Sequence, residues 1–425
     1  MENTTKNGNT FKSFSLKNGL QVILVSKEDS ETVACSLMGK AGSMYERGEE
    51  IGAAHFLEHI VLEGSKDYPS SDKVSEIVEN VGGIHGAATN KDIVQYWTKT
   101  LSEYLEQSLI YLSQVALFPL IADKDVEKHK KIIEQEILRF KASPENYLPR
   151  LAYQGIFPNQ RIGGLNTGDI DDIKKITSNV LRDYLRRMYK APSFVLVICG
   201  RIPKTAQELV GKYFNDMPAG RPEEISVVFN TESSVVIENR PHEEQVAIQI
   251  SFQSFTGNTD ENYVAKVISY ILGAGKLSRL RKKIREEYAL AYRFSMSQFT
   301  SEQFGIMSIS AGIAEKNMEL YIQLVMTELK ELSKYGPSEE ELKRCTQYAR
   351  SIFAFMMENP SNIASYYGRK YLLGDQRDEM EMYKKLTSYD VKDIARRIFD
   401  QPPQYTAIGK TLNEKIFKDH SLKKK

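Results

Sequence analysis

The chain has 425 residues, which is too long for one ordinary hydrophobic core and predicts two or more domains. Its 41% hydrophobic and 27% charged residues are typical of a globular protein, and no run approaches the roughly 18 consecutive apolar residues that would span a bilayer. Lysine and arginine total 57 against 56 acids, and this net charge of +1 argues against a nucleic-acid partner.

The first half of the chain is predicted to be a mixed α+β domain, because its strands and helices do not alternate as they do in a parallel sheet. It begins with two strands joined by a hairpin turn at Asn18-Gly19. The predicted strands are Phe11–Leu16, Leu20–Val25, Thr32–Gly39, Val94–Thr100 and Phe194–Gly200. The predicted helical segments are Ser71–Val81, Glu103–Ala116, Asp123–Phe140 and Asp171–Tyr189.

A charged cluster of proline and glycine at Met217–Glu224 marks a break in the chain. We therefore predict domains at residues 1–217 and 234–425, joined by a linker at residues 218–233. Beyond the linker the plan repeats, with strands at Ser234–Asn239 and Val246–Phe252 and helices at Tyr263–Leu272, Ala314–Tyr335 and Ser338–Phe355. An internal duplication of about 215 residues is the interpretation that this repetition favours, and chance similarity between amphipathic helix pairs is the alternative.

Two histidines in the first half stand in a spacing with chemical meaning, within His55-Phe56-Leu57-Glu58-His59. Residues four positions apart share one face of a helix, so both imidazoles can reach a single cation. Glu58 points to the same side and can take a proton from a water at the metal. The pattern predicts a zinc site for the hydrolysis of a peptide bond. The alternative is a pair of ordinary histidines on a buried helix, because the flanking residues are mostly apolar.

A zinc peptidase site needs a third protein ligand, for which an acid on another helix is the natural candidate. The amphipathic helix predicted at Asp123–Phe140 carries Glu127, Glu134 and Glu136. Position 136 lies one turn from both Ile132 and Phe140, which the pattern places on the apolar side with Ile133 and Ile137. A carboxylate beside a buried stripe is costly unless it is paired or bound to metal. Glu136 is therefore the predicted third ligand, and Glu134 is the alternative candidate.

These features together resemble the inverted zinc motif of the pitrilysin family, or inverzincins. The His-x-x-Glu-His motif is followed after 76 intervening residues by Glu136, and the segments Gly42-Ser43, Glu63-Gly64-Ser65 and Gly82-Gly83 follow the family pattern in order. The chain is most similar to the two-domain bacterial and mitochondrial processing peptidase-like members. The resemblance implies two homologous domains, each a mostly antiparallel sheet packed with helices, arranged as a clamshell. It also implies that His55, His59 and Glu136 bind one Zn²⁺ per chain, with Glu58 as general base.

The sequence departs from the family pattern at three positions near this site. The family usually has a glutamate seven residues before the third ligand, and here that position holds His129. Activity is then reduced, or a neighbour such as Glu127 replaces the missing acid. In the strand that resembles the substrate-pairing edge, Gly86 replaces the usual asparagine and Val94 the usual threonine. These two changes bear on substrate preference more than on the reaction.

The second half lacks the zinc motif and carries a different signature. Leu272–Leu280 is glycine-rich but lacks the spacing of a phosphate-binding loop. Together with Ile284–Tyr292 it resembles a segment of the family's C-terminal domain in which an arginine and a tyrosine contact the substrate backbone. The resemblance assigns these roles to Arg285 and Tyr292. Without it, Arg285 would be interpreted as a surface charge and Tyr292 as a core strand residue.

The resemblance implies a zinc-dependent endopeptidase that cleaves unstructured peptides or peptide precursors. The substrate would add a strand at the sheet edge near Gly86, Ala87 and Thr89, so recognition would use main-chain hydrogen bonds and a few side-chain pockets. The alternatives are an inactive scaffold or partner subunit of a two-chain processing peptidase, and a peptidase that matures one dedicated peptide. A homodimer, or a heterodimer with a related subunit, is the predicted assembly.

Cysteine use and the N-terminal segment predict a cytoplasmic protein. Cys35, Cys199 and Cys345 are few and widely spaced, as expected of reduced thiols. Met1–Asn9 is polar and has neither an apolar stretch nor an arginine-rich amphipathic pattern, so no targeting signal is expected there. The physiological substrate and the cleavage specificity do not follow from the sequence.

Overall fold

The computed structural model of the protein describes residues 4–6 and 9–418, with the side chains of residues 4–6, 9, 292 and 418 not described. Most of the N-terminal segment on which the localisation prediction rests lies outside the described residues. In the described part of the chain, no helix is both long enough and apolar enough to cross a membrane. Cys35, Cys199 and Cys345 are buried and do not form disulfides.

The structure contains twelve strands and sixteen α-helices in the described residues. The strands are β1 (Thr4–Lys6), β2 (Asn9–Ser15), β3 (Gln21–Ser26), β4 (Thr32–Gly39), β5 (Ile84–Thr89), β6 (Val94–Leu101), β7 (Phe194–Gly200), β8 (Ser234–Asn239), β9 (Val246–Ser254), β10 (Ala291–Thr300), β11 (Gly305–Ile313) and β12 (Gln404–Gly409). The first helices are α1 (Ala53–Ile60), α2 (Ser71–Glu79), α3 (Leu105–Leu117), α4 (Asp123–Ala142), α5 (Pro144–Ile156), α6 (Ile170–Lys175), α7 (Ser178–Met188) and α8 (Ala206–Phe214). The remaining helices are α9 (Asp260–Gly273), α10 (Arg279–Arg281), α11 (Met318–Tyr335), α12 (Glu339–Met356), α13 (Pro360–Leu372), α14 (Glu379–Lys385), α15 (Ser388–Phe399) and α16 (Lys415–Lys418), and a π-helical segment at Lys282–Glu287 follows α10 directly.

The chain divides into two compact units. In the described part of the chain, the first is drawn from Met1–Leu138, Leu165–Ile225 and Phe355–Leu372. The second is drawn from Arg139–Gly164, Ser226–Ala354 and Leu373–Lys425. Each unit therefore includes a segment from the other half of the sequence. The predicted domains at residues 1–217 and 234–425, with the linker at residues 218–233, follow the two halves of the sequence. They differ from these two units in being continuous stretches of chain, and they remain a prediction.

The first unit contains a seven-stranded sheet in the order β1-β2-β3-β7-β4-β6-β5. Strands β3 and β7 pair in parallel, and the other neighbours pair antiparallel. Strand β7 is buried along its whole length; it lies between β3 and β4 and helix α13 contacts it. Strand β5 is the last strand at one edge of this sheet, and it pairs with β6 alone among the described strands.

The second unit contains a five-stranded sheet with the same plan. Its order is β10-β11-β9-β12-β8, with β12 and β8 parallel and the other pairs antiparallel. Strands β8 to β12 thus take the places of β3 to β7 in the first sheet, in both order and direction. Chance similarity between helix pairs does not produce five matching strand positions, so the α+β class and the two related halves predicted from the sequence are confirmed.

Helices α5 and α13 are the parts that the two halves exchange. Helix α5 comes from the first half of the sequence and packs on β8, β9 and β12 of the second unit. Helix α13 comes from the second half and packs on β4 and β7 of the first unit, where Ile363 and Leu372 join a buried cluster with Met38 and Val197. Each sheet therefore has one face covered by a helix that lies far away in sequence.

Candidate metal centre

Helix α1 begins at a glycine that a larger residue could not replace without strain. Gly52 has φ +93°, and a Cβ at this position would lie 2.4 Å from the Thr167 carbonyl oxygen. The buried carboxylate of Glu46 accepts hydrogen bonds from the N–H groups of Gly52 and Ala54, at 2.8 and 2.9 Å. These contacts satisfy donors that a helix start leaves unpaired, and they place a negative charge at the positive end of the helix dipole.

Helix α1 has one face packed in the core and another face that carries the residues of the candidate site. Ala53, Ala54, Phe56, Leu57 and Ile60 are fully buried and hold the helix against the rest of the first unit. The two histidines at positions 55 and 59 and the intervening Glu58 occupy the remaining side. Packing of the apolar residues therefore determines the direction in which the three polar side chains point.

Helix α4 brings Glu136 to the histidines, although its apolar side differs from the prediction. The buried residues of α4 are Val126, His129, Ile133 and Ile137, whereas Ile132 is 42% exposed. The prediction that Ile132 belongs to the buried stripe is therefore wrong, because the stripe that contains Ile133 and Ile137 continues through His129. Position 136 remains beside it, one turn from Ile133 and two turns from His129.

The side chains of His55, His59 and Glu136 form a compact group of possible metal ligands. One ligand atom from each lies within 4.8 Å of the others. The Nε2 atom of His55 is 3.5 Å from Oε1 of Glu136, and that of His59 is 3.5 Å from Oε2. The imidazole centroids are 4.8 Å apart. The side chains are 11%, 26% and 27% exposed, so the group lies at a partly open position.

This geometry and donor set fit Zn²⁺. Zinc–ligand bonds of about 2.1 Å that meet at a tetrahedral angle separate their ligand atoms by about 3.4 Å. The two nitrogen–oxygen distances of 3.5 Å are close to that value. Two imidazoles and one carboxylate, with one position left open, are also a ligand set of hydrolytic zinc sites. Hydrogen bonds from His55 and His59 hold the pKa of Glu136 far below its usual range, so the carboxylate is ionised, as a ligand must be.

His129 and Glu63 form a hydrogen-bonded pair beside this group. The Nε2 atom of His129 lies 2.7 Å from Oε1 of Glu63, and both side chains are largely buried. The His129 ring also meets the ring of His59 edge-on, with centroids 5.7 Å apart. Glu63 therefore provides a carboxylate in the region where the family has a glutamate at position 129. Glu127, the neighbour considered for that role, is 68% exposed and pairs with Lys130.

The sequence alone does not identify Glu63 as a site residue, although the segment Glu63-Gly64-Ser65 follows the family pattern. Burial raises the pKa of its carboxyl group, but hydrogen bonds from His129 and Lys128 outweigh burial and leave the pKa below its ordinary value. Burial lowers the pKa of His129, and Glu63 opposes that effect. An ionised Glu63 therefore accepts a hydrogen bond from the Nε2–H group of His129 and orients its ring.

Glu58 lies close to a buried pair of tyrosines. The hydroxyl groups of Tyr96 and Tyr189 are 2.7 Å apart and both residues are buried. Burial raises the pKa of each phenol above its ordinary value, and the negative charge of Glu58 adds to this effect. Both tyrosines therefore remain protonated and neutral near the Glu58 carboxylate. The assignment of Glu58 as the general base stays a prediction.

Strand β5 contains Gly86, Ala87 and Thr89 at the edge of the first sheet. Thr89 donates a hydrogen bond from its hydroxyl to the Ala54 carbonyl oxygen in α1, at 3.5 Å, so the edge lies beside the histidine helix. Gly86 faces Trp97 across the strand pair, and a Cβ at position 86 would lie 2.5 Å from the indole ring. The ring of Trp97 thus occupies the space that the family's usual asparagine would need.

Arg285 and Tyr292 belong to the second unit, whereas the histidine and glutamate group is built from the first alone. Arg285 lies in the π-helical segment and lines a cavity of the second unit. Tyr292 is in β10, at an irregularity in its pairing with β11, and its side chain lies outside the described residues. Their contact with substrate stays a prediction.

Family models match most of the chain in two consecutive parts. Residues 21–164 match the family described as Insulinase (Peptidase family M16), and residues 175–347 match the Peptidase M16 inactive domain. The first match includes His55, His59 and Glu136, and the second includes Arg285.

Individual relatives match over nearly the whole length. A protein of Rickettsia bellii named as an uncharacterized zinc protease is 25% identical, over 94% of this chain and 97% of its own. The mitochondrial-processing peptidase subunit beta of Saccharomyces cerevisiae is 23% identical, over 94% of this chain and 91% of its own. The crystal structure of a protease from Helicobacter pylori superposes with a TM-score of 0.87 at 20% identity, covering 94% of this chain and 99% of the other. The chain belongs to the M16, or pitrilysin-like, family of zinc metalloproteases.

Proposed function

We propose that this protein is a zinc-dependent endopeptidase that cleaves unstructured peptides or peptide precursors. The observation that supports it most directly is the group of His55, His59 and Glu136, whose ligand atoms lie within 4.8 Å of one another. No second group of three possible ligands comes as close in residues 4–6 and 9–418. One Zn²⁺ per chain is therefore part of the proposal.

His55, His59 and Glu136 would hold the metal, and Glu58 would carry the proton. When bound, zinc supplies Lewis-acid chemistry that polarises a peptide carbonyl and makes water more acidic. Glu58 takes a proton from the water that attacks the scissile carbonyl, and it then gives this proton to the leaving amine. The protonated hydroxyls of Tyr96 and Tyr189 lie near this carboxylate and keep its surroundings neutral.

The substrate would bind as an additional strand along β5. Its free edge carries main-chain donors and acceptors that a peptide in an extended conformation can pair with. Side chains of such a peptide alternate between two directions, toward α1 and toward Trp97. Gly86, Ala87 and Thr89 are then backbone contacts, and Arg285 and Tyr292 are further proposed contacts to the substrate backbone.

The decisive experiment exposes the purified protein to a mixed peptide library and identifies the cleavage products by mass spectrometry. We expect cleavage that a chelator abolishes and that added zinc restores. Glu58→Gln should retain zinc and lose cleavage by a factor of at least about a hundred. Glu49→Gln, a change at an exposed glutamate just before α1, is the matched control and should cleave normally. Undiminished cleavage by Glu58→Gln would refute the assignment of the base.

The second candidate function is an inactive or weakly active partner subunit. Reduced activity is favoured by the histidine at position 129, where the family has a glutamate, and pairing with another chain is favoured by the relative named as a beta subunit. Zinc analysis separates the two candidates, because a scaffold should contain much less than one zinc per chain. Sedimentation of the protein alone tests the proposed homodimer, and a monomer would favour pairing with a related subunit.

A further inference from the structure

Trp97 lies on the face of the first sheet that points away from α1. Side chains along a strand alternate between the two faces of a sheet. Thr89 contacts Ala54 of α1 and is separated from Gly86 by an odd number of positions on β5, so Gly86 belongs to the opposite face. Trp97 pairs with Gly86 across the two strands and shares its face. The indole ring is therefore on the side of the sheet away from the candidate metal centre.

The indole ring crosses Gly86 toward the free edge of the sheet. Strand β5 pairs with β6 alone among the described strands, and Trp97 is on β6. A Cβ at position 86 would lie 2.5, 2.7 and 2.9 Å from Cζ2, Cε2 and Nε1 of Trp97. These atoms form the edge of the ring that carries its N–H group. Because position 86 has no side chain, this edge lies over β5 and is directed toward its unpaired side.

The indole of Trp97 has a hydrogen-bond donor that the described chain does not use. Its Nε1 atom has no hydrogen-bond partner among the described residues, and this atom is not buried. The ring has no aromatic partner in residues 4–6 and 9–418 and is partly exposed. A buried tryptophan usually has its N–H group hydrogen-bonded. An aromatic ring that covers a glycine also stabilises a sheet edge, but that role requires neither an open N–H group nor an exposed ring.

Exposed apolar residues continue the surface of Trp97 along one end of this face. Ile84 of β5 and Leu101 of β6 are 56% and 46% exposed, and the alternation of side chains places both on the same face as the indole. At the other end of the face, Gln95 donates a hydrogen bond to Ser365 of α13, at 2.8 Å. The helix therefore closes the Gln95 end, and an apolar strip of Trp97, Ile84 and Leu101 is open beside the free edge of β5.

We propose that this strip is a subsite that selects an aromatic side chain in the substrate, at the residue that pairs with Gly86. A peptide strand added to β5 would lie about 4.8 Å from it, and its residue opposite Gly86 would point to the same face. An aromatic ring at that residue reaches the indole and Ile84, whereas the methyl group of an alanine does not. The two adjacent peptide residues point toward α1. The inference rests on the proposed binding of substrate along β5 and adds a preference that the zinc ligands do not set.

The first test uses fluorescence, because Trp97 is the chain's single tryptophan and reports on the subsite directly. Glu58→Gln protein, in which binding is observed without cleavage, is titrated with a short blocked peptide of alternating serine and threonine that has one central phenylalanine. The matched peptide has alanine in the centre. We expect the phenylalanine peptide to shift the emission to shorter wavelength and to bind at least about fivefold more tightly. An unchanged emission, or equal affinity for the two peptides, would overturn the proposal.

The second test examines cleavage of a mixed peptide library by the active protein. We expect aromatic residues to be enriched at least about fivefold at one fixed position relative to the cleaved bond. Trp97→Leu should remove this enrichment, and Tyr389→Leu, which changes an aromatic residue of the second unit that is 74% exposed, should retain it. Gly86→Asn displaces the indole and should also remove the enrichment, which keeps the test valid if Trp97→Leu does not fold.

The outcomes separate the subsite from the peptidase function. Cleavage without an aromatic preference would refute the subsite and leave the peptidase function in place. Tighter binding of the phenylalanine peptide to a protein that cleaves no library member would support the subsite and refute the peptidase function. An aromatic preference that survives in both Trp97→Leu and Gly86→Asn would place the selecting residues elsewhere and refute the proposal.

Discussion

The Nε2 atom of His129 lies 2.7 Å from the Oε1 atom of Glu63, and this contact places a buried histidine against one of the candidate zinc ligands. The His129 ring packs between Glu63 and the ring of His59, and it also meets Phe56 edge-on. A histidine thus stands on α4 where the family has a glutamate, and the carboxylate that it contacts follows α1. The pair restrains His59 through packing, with Glu63 fixing the orientation of His129.

If His129 positions His59, its replacement should weaken zinc binding. We expect His129→Ala to lower zinc affinity about 10- to 100-fold, as is typical when residues that orient metal ligands are changed. The dissociation constant is measured by competition with a chromophoric chelator, which requires no catalytic activity. Lys128→Met is the matched control, because Lys128 also contacts Glu63 but is mostly exposed, and it should retain normal affinity. Equal affinities of the two variants would contradict a positioning role.

Glu136 and Glu134 provide a second comparison on the same helix. Glu136→Gln removes the carboxylate that lies 3.5 Å from both imidazoles, so zinc affinity should fall by more than about a hundredfold. Glu134→Gln changes the same chemical group two residues away and should have little effect. Zinc content after dialysis, measured by mass spectrometry, tests this prediction. A larger loss in Glu134→Gln than in Glu136→Gln would reverse the assignment of the third ligand.

The sequence was sufficient to name His55, His59 and Glu136, but not to explain the position of Glu136 fully. The spacing of the two histidines is a local helical property, and it survives in the structure. Ile133 and Ile137 of the apolar stripe predicted on α4 are buried, but Ile132 is exposed and His129 takes a buried place. A buried histidine breaks the hydropathy pattern from which a stripe is inferred. The metal-binding role of the three residues itself stays a prediction.

Contacts between distant parts of the chain were the features that the sequence could not reveal. Glu63 and His129 are 66 positions apart, and no local pattern indicates that they meet. The exchange of α5 and α13 was also unforeseen, since an apolar helix face does not specify which sheet it covers. Strands β3, β4, β7 and β8 were predicted within one residue at each end because their patterns are local. Strands β10, β11 and β12 were not assigned.

The hydrogen bonds that Glu46 accepts at the N-terminus of α1 should be important for the stability of the fold. Glu46→Ala would leave the buried N–H groups of Gly52 and Ala54 without an acceptor, at a cost of about 2–5 kcal/mol. Urea unfolding followed by circular dichroism measures this loss. Glu49→Ala, three residues further along and exposed, should change the free energy of unfolding by less than about 0.5 kcal/mol. Similar midpoints for both variants would show that Glu46 does not support the helix.

Gly86 and Trp97 allow a test of the proposed substrate edge. Gly86→Asn restores the residue usual in the family, but its Cβ would lie 2.5 Å from the indole ring, so Trp97 must move. Trp97 is the chain's single tryptophan, and we expect a shift of its fluorescence emission and an altered pattern of cleaved peptides. Ala88→Asn, on the same face of β5 but exposed, should shift the emission much less. Unchanged emission in Gly86→Asn would contradict the close packing of the two residues.

The ion pair of Glu341 and Arg279 predicts how stability depends on pH in the second unit. Arg279 donates from Nε and Nη2 to the two carboxylate oxygens, at 2.8 and 2.6 Å. Burial raises the pKa of Glu341, but the hydrogen bonds and charge of Arg279 outweigh it and leave the pKa below its ordinary value. A carboxyl group with a lowered pKa in the folded state contributes stability above its unfolded pKa of about 4.3. That contribution is lost as the pH falls through the lower pKa of the folded state.

Glu341→Gln should therefore unfold more easily than the unmodified protein at pH 7, by about 1–2 kcal/mol, and the difference should shrink below about pH 4. Urea unfolding curves at a series of pH values measure it. Glu381→Gln is the matched control, because Glu381 and Lys384 form an exposed pair on one helix that contributes little. A difference between Glu341→Gln and the unmodified protein that stays constant from pH 7 to pH 3 would mean that the pair stabilises the fold through packing and not through charge.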